Sequence, residues 1–163
     1  MIEKLVSLVQ NLPPEIATFI LSMLPITELR ASIPIALGVW NLNPIAVYII
    51  AIAGNIVPAL IIVWYLKPIA TWLSKNIKWF EKLFDWWFER TIRKFSKKYE
   101  KYGLWALMIF VAIPLPVTGA WTGALAAFLF DIPKRKAIFY IFAGLLISGI
   151  IVSLLSLGAF AII

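Results

Sequence analysis

Two blocks of this chain, Pro44–Leu66 and Ala137–Ile163, run from end to end without a single charged side chain. As helices they would be about 34 and 40 Å long, enough to cross a hydrocarbon layer of about 30 Å. Apolar residues make up 63% of the 163, against about 45–50% in an average soluble domain. The length allows one compact membrane domain. The expected fold class is therefore an all-α integral membrane protein with two transmembrane helices.

The remaining apolar blocks are too short to span. Glu15–Leu24, Ile33–Trp40, Leu104–Ile113 and Ala120–Phe130 hold ten, eight, ten and eleven residues. Each is about half the bilayer as a helix. They pair across proline-rich breaks, PITELRASIP (Pro25–Pro34) and PLPVTG (Pro114–Gly119). Two half-depth helices joined by irregular backbone describe a re-entrant hairpin, tolerated only where that backbone is buried in protein or lines a wet cavity. The spacing predicts such hairpins over 15–40 and 104–130. Hairpins that cross fully, twice each, would leave the flanking charges on the same sides.

The halves follow one plan. The interval from Pro25 to Pro44 equals the interval from Pro114 to Pro133. The chain divides into a first half-repeat over 1–66 (hairpin 15–40, span 44–66), a linker helix over 67–101, and a second half-repeat over 102–163 (hairpin 104–130, span 137–163). With one crossing per half the expectation is an inverted repeat, a common transporter plan. Charge fits this path. Lys67–Lys101 carries ten basic and four acidic residues, and the next basic cluster is Lys134-Arg135-Lys136. A re-entrant 104–130 keeps both clusters on the cytoplasmic side, as the positive-inside rule requires.

Within 67–101, Leu73, Ile77, Phe80, Phe84 and Trp87 begin a stripe at i+3/i+4 spacing that most lysines avoid. Pro68 suits a helix start, and Trp72, Trp79 and Trp86 suit an interface. This predicts a basic amphipathic helix on the cytoplasmic leaflet, either a plain anchor or a collector of anionic lipid headgroups. Ile2, Leu5, Val6 and Val9 predict a short surface helix ending before Pro13-Pro14, and the segment lacks the pattern of a cleaved signal.

Cysteine and histidine are absent, which excludes disulfides, a thiolate nucleophile, a histidine base and a Cys/His metal site. The few carboxylates do not cluster in an apolar stretch. No metal and no cofactor is expected, and the chain reads as a non-enzyme. The net charge of +7 sits on membrane-flanking segments, so nucleic acid is not an expected partner. Expected partners are membrane lipids, a proton or sodium ion, and further copies of the chain in a homo-oligomer.

Glu28 and Arg30 are the only charges between Glu15 and Lys67, and intramembrane charges are functional candidates. Two positions apart, they would not face each other on one helix, but could pair if the break before Pro34 leaves extended backbone. They serve either as a structural pair near a hairpin tip, or as an anion site at Arg30 with Glu28 carrying a proton. In the second break, Pro114 and Pro116 free backbone groups, and Thr118 is a candidate N-cap for a half-helix starting near Gly119. That helix start could offer N–H groups to an anion. Gly119 and Gly123 permit close helix approach. Asn55 is a polar group inside the first span, placed for an interhelical hydrogen bond or a cavity contact.

ELRASIPIAL (Glu28–Leu37), Gly54-Asn55 and IPLPVTGAWTGALAA (Ile113–Ala127) resemble the putative small multi-drug export protein family. That family is distantly similar to the DedA/VTT (SNARE-associated) superfamily of re-entrant-loop membrane proteins. The first resemblance implies export of small molecules. The second implies ion-coupled flipping of lipid phosphates, such as polyprenyl phosphates. It also implies substrate or coupling roles for Glu28, Arg30 and Pro34 in the first hairpin, and for Pro114, Pro116, Thr118, Gly119, Trp121 and Gly123 in the second. DedA proteins usually bear arginine in the second hairpin, whereas Leu104–Phe130 has no charge. The expectation is a DedA-like transporter or flippase of an amphipathic anion in the cell membrane. The alternatives are a small multidrug exporter and a non-transport scaffold docking through 67–101.

Overall fold

The computed structural model describes residues 9, 11–76, 101–115 and 118–162, with only the backbone of 67–76 and 162. The expected N-terminal surface helix, most of the amphipathic segment 67–101, and Pro116 lie outside the described residues. Six helices are present among the described residues, and no strand. They are α1 (Pro14–Met23), α2 (Glu28–Gly38), α3 (Pro44–Asn76), α4 (Leu104–Ala112), α5 (Ala120–Leu129) and α6 (Lys134–Ile162).

α3 and α6 are the two membrane-length helices among the described residues, with apolar stretches over Pro44–Leu66 and Lys134–Ala161. Only 39% and 33% of their most apolar windows are buried. Ile45, Ile49, Phe139, Leu154 and Leu155 are each at least 60% exposed. A core helix of a soluble protein would hide such residues, so these faces suit lipid. Asn43 caps α3, its Oδ1 accepting from Ile45 N at 2.9 Å, with Pro44 at the first helical position.

Three boundaries depart from the sequence expectation. α2 begins at Glu28 rather than Ile33 and passes through Pro34, so the extended backbone that could pair Glu28 with Arg30 is not formed. Leu29, Ile33, Ala36 and Leu37 bury on one face of α2, and that burial outweighs the lost proline bond. α3 likewise runs through Pro58 and Pro68 to Asn76, so Pro68 does not start a new helix. In an apolar setting helical backbone is the cheapest state even around proline. The second span begins at Lys134, ahead of the expected Ala137, and so includes the basic cluster.

The chain forms two compact units, one of Met1–Pro58 with Leu145–Ile163, the other of Ala59–Gly144. In the first, Ala17, Leu21, Ile33, Ala36, Val47 and Ala51 are fully buried, and Tyr48 donates its hydroxyl to Leu146 O at 3.0 Å. In the second, Leu107, Ala120, Ala124, Ala126, Ala137 and Ile141 are fully buried. Matching features recur at similar, though not identical, offsets along the chain. α1 and α4 begin at Pro14 and Leu104, α3 and α6 at Pro44 and Lys134. A Cβ on Gly54 would sit 2.4 Å from Phe19 O, and one on Gly144 would sit 2.7 Å from Met108 O. In each unit, then, a glycine of the long helix packs directly on the backbone of the first short helix.

Candidate functional site

α1 ends because Leu24 precedes Pro25 and takes extended geometry, φ −77° and ψ 138°, as steric crowding by the following ring dictates. The carbonyls at that end lose their helical donors. Leu21 O, which Pro25 cannot reach as an i+4 donor, accepts instead from Leu24 N at 3.3 Å and from the Thr27 hydroxyl, which also approaches Leu24 O at 3.5 Å, an oxygen already bonded to Glu28 N at 3.0 Å. Glu28 then opens α2 with φ +43°, in left-handed space that a non-glycine residue enters only when held there. The residue is 7% exposed and lies in the first helical turn, where the helix dipole favours an acid.

Around this break the first hairpin buries a set of hydroxyls. Thr18, Ser22, Thr27 and Ser32 are each fully buried. Thr18 donates to Pro14 O at 2.7 Å, Ser22 donates to Thr18 O at 2.7 Å, and the Ser22 and Ser32 hydroxyls bond at 2.8 Å, tying α1 to α2. Such interhelical hydroxyl bonds stabilise membrane helix pairs by about 1 kcal/mol each. None of these four residues belongs to the sites expected from the sequence. Their signal was present in the spacing, since Thr18 and Ser22 are i, i+4 on an otherwise apolar helix.

Among the described residues three buried side-chain atoms have no hydrogen-bond partner, Arg30 Nη1, Asn55 Oδ1 and Ser153 Oγ. Arg30 is half-buried; its Nη2 donates to Ile26 O at 2.8 Å, while Nη1 is buried without a partner. Asn55, 1% exposed on α3, leaves Oδ1 without a donor. Pro34, inside α2, lacks an N–H and so deprives the Arg30 carbonyl of its i+4 donor. The unit thus holds an unsatisfied cationic donor, an unsatisfied neutral acceptor and a buried acidic residue.

The second break repeats the backbone device with different chemistry. Ile113 is extended before Pro114. Thr118 is not the N-cap of α5. Gly119 takes that position, at φ +132°, with no side-chain cap. The Thr118 hydroxyl turns back, within 2.7 Å of Ile113 O and 2.8 Å of Leu115 O, and accepts from Leu115 N at 3.1 Å. Like Thr27 in the first hairpin, it adds a side-chain bond to carbonyls beside a proline break that also accept from the backbone, Ile113 O from Leu115 N and Leu115 O from Thr118 N. Trp121 is half-buried in the first turn of α5. A Cβ on Gly123 would sit 2.5 Å from a Val111 methyl, so this glycine does bring α4 and α5 close, as its spacing predicted.

Glu28, Arg30, Pro34 and Asn55 therefore fall in one unit, and Pro114, Thr118, Gly119, Trp121 and Gly123 in the other. A family model described as putative small multi-drug export protein matches residues 28–151. That span begins at Glu28 and takes in both proline-centred motifs. No curated protein and no solved structure matches the chain.

Proposed function

Because the chain belongs to the putative small multi-drug export protein family, a role in membrane transport is its premise, and we propose that the transported species is an amphipathic anion bound at Arg30. The observation that carries this reading is the buried Arg30 Nη1 with no acceptor. A buried charged donor left unmatched is costly, and an arriving anion with two oxygens would remove that cost through the guanidinium fork.

The finer reading adds what the resemblance to DedA/VTT proteins implies: a lipid phosphate, such as a polyprenyl phosphate, is the favoured substrate, moved across the cell membrane at the expense of an ion gradient. The short lengths of α1, α2, α4 and α5, nine to eleven residues each, support hairpins that enter and leave on one side. The similar offsets between matching features of the two units support two half-repeats of one plan. Glu28, buried in the first turn of α2, is the proposed proton carrier. Asn55 Oδ1 supplies an acceptor for a proton-bearing or cationic partner. In this scheme Lys134–Lys136 faces the cytoplasm.

The test is reconstitution of the full chain in liposomes with a fluorescent polyprenyl phosphate, with and without a proton gradient. Transport that requires Arg30 and responds to the gradient supports the reading. Equal transport by Arg30→Ala would sink the anion site. Transport of small drugs but not of the lipid phosphate would favour the multidrug exporter.

A further inference from the structure

We propose that a cleft beside the start of α6 binds the phosphate headgroup of an anionic membrane lipid. The cleft has a volume of about 290 Å³ and is lined by Val63, Phe128, Asp131, Ile132, Pro133 and Lys134, among others. That size is at the lower end for a small-molecule site, about 300 Å³, which suits a headgroup and not a whole lipid. The cleft belongs to a single compact unit and shares no residue with the Arg30 site.

Its electrostatics ask for an anion. Lys134, Arg135 and Lys136 are consecutive and exposed in the first turn of a 29-residue helix that has no acidic residue in that turn. A helix N-terminus already carries roughly half a positive charge, and cations there are disfavoured. Three cations added to that dipole are placed against their own helix, and a bound phosphate would reverse the sign of the term. Asp131 is the one carboxylate in the wall. Its own position is set by the chain reversal between α5 and α6. It sits at φ +48°, with Asp131 N bonded to Phe128 O and Ile132 N to Ala127 O, the bond pattern of a Schellman cap.

The geometry holds one ammonium at the mouth. Lys134 Nζ lies 4.8 Å from the centroid of the Trp64 ring and 3.4 Å from Trp64 O. An ammonium has three donors, so one long bond to a carbonyl leaves two for a phosphate. Trp64 and Tyr65 stand 49% and 59% exposed near the end of the apolar stretch of α3, the place where aromatic belts meet headgroups. Ile61 on α3 and Phe139 on α6, 50% and 66% exposed, provide apolar surface for the attached chains. That surface is the reason for choosing a lipid over a soluble phosphate.

The experiment is native mass spectrometry of the detergent-solubilised full chain, titrated with phosphatidylglycerol or with phosphatidylcholine of the same acyl chains. Phosphatidylglycerol is expected to remain bound and phosphatidylcholine to dissociate. Lys134→Gln should weaken phosphatidylglycerol binding about tenfold, the loss of one charged hydrogen bond. Lys134→Arg should restore it, and Lys4→Gln, which removes the same charge from the N-terminal segment, should leave it unchanged. Equal binding of the two lipids, an unaffected Lys134→Gln, or equal losses from Lys134→Gln and Lys4→Gln would overturn the site. Displacement by inorganic phosphate at the concentration of the lipid would overturn the choice of a lipid.

Discussion

The first hairpin buries hydroxyls and an acid where the second buries alanine and glycine. Where the first half has Ser22, Ser32 and Asn55, the second has Ala112, Gly123 and Leu145 at closely matching places. All of these are buried. Yet both hairpins end their first helix before a proline, enter their second through a residue of positive φ (Glu28 or Gly119), and add a threonine hydroxyl to the carbonyls beside the break. The contrast teaches that the backbone plan needs only proline, threonine and close-packed glycine. The buried acid and the hydroxyl pair that ties the two short helices together are additions, made in the first half.

Several substitutions can break or sharpen that contrast. The largest effect is expected from Arg30→Ala, which should lower lipid-phosphate transport in liposomes about 100-fold, the scale of a lost pair of charge-assisted bonds, while leaving thermal stability near that of the native chain. Arg30→Lys should be impaired as well, because it loses the planar fork. A stability loss matching the transport loss would make Arg30 structural and remove the functional half of the contrast. Next comes Glu28→Gln, expected to retain transport but to lose its response to a proton gradient. A response that persists would place the coupling elsewhere.

The shared plan predicts paired costs. Gly54→Ala and Gly144→Ala each drive a Cβ into a backbone carbonyl, and each should destabilise by about 1–3 kcal/mol, read as unfolding in a denaturing detergent titration. A large cost at one and none at the other would break the correspondence. Thr27→Val and Thr118→Val should cost about 1 kcal/mol each, since each removes a side-chain hydrogen bond to a carbonyl next to a proline break. The smallest effect is expected at Gly158, where an added Cβ would meet nothing within 4 Å. Gly158→Ala should stay within about 0.5 kcal/mol by the same titration.

Much of the architecture was legible because membrane helices are written in long uncharged runs and in prolines, and both are local. Pro25 and Pro114 marked the breaks, and Pro44 the start of α3. Boundaries failed where packing overruled a local rule. Pro34 and Pro68 both lie inside helices, because burial of one face and the absence of water as an alternative partner outweigh a missing N–H. The role of Thr118 failed for a related reason. A hydroxyl near a helix start reads as a cap, but the carbonyls of Ile113 and Leu115 compete for it, and only their positions in space decide.

The sequence by itself determined the class of the protein: two charge-free runs of membrane length, paired half-length segments, one proline interval used twice, and Glu28 and Arg30 alone in an apolar half. The tertiary structure decided which polar atoms are satisfied. Ser22 meets Ser32 and Lys134 lies over Trp64, while Arg30 Nη1 and Asn55 Oδ1 meet nothing. Each of those outcomes depends on groups that chain order does not make neighbours, or on the want of any partner. Hydrogen bonding is a property of distance and direction, and residue type and spacing along a chain leave both undefined until the helices have packed.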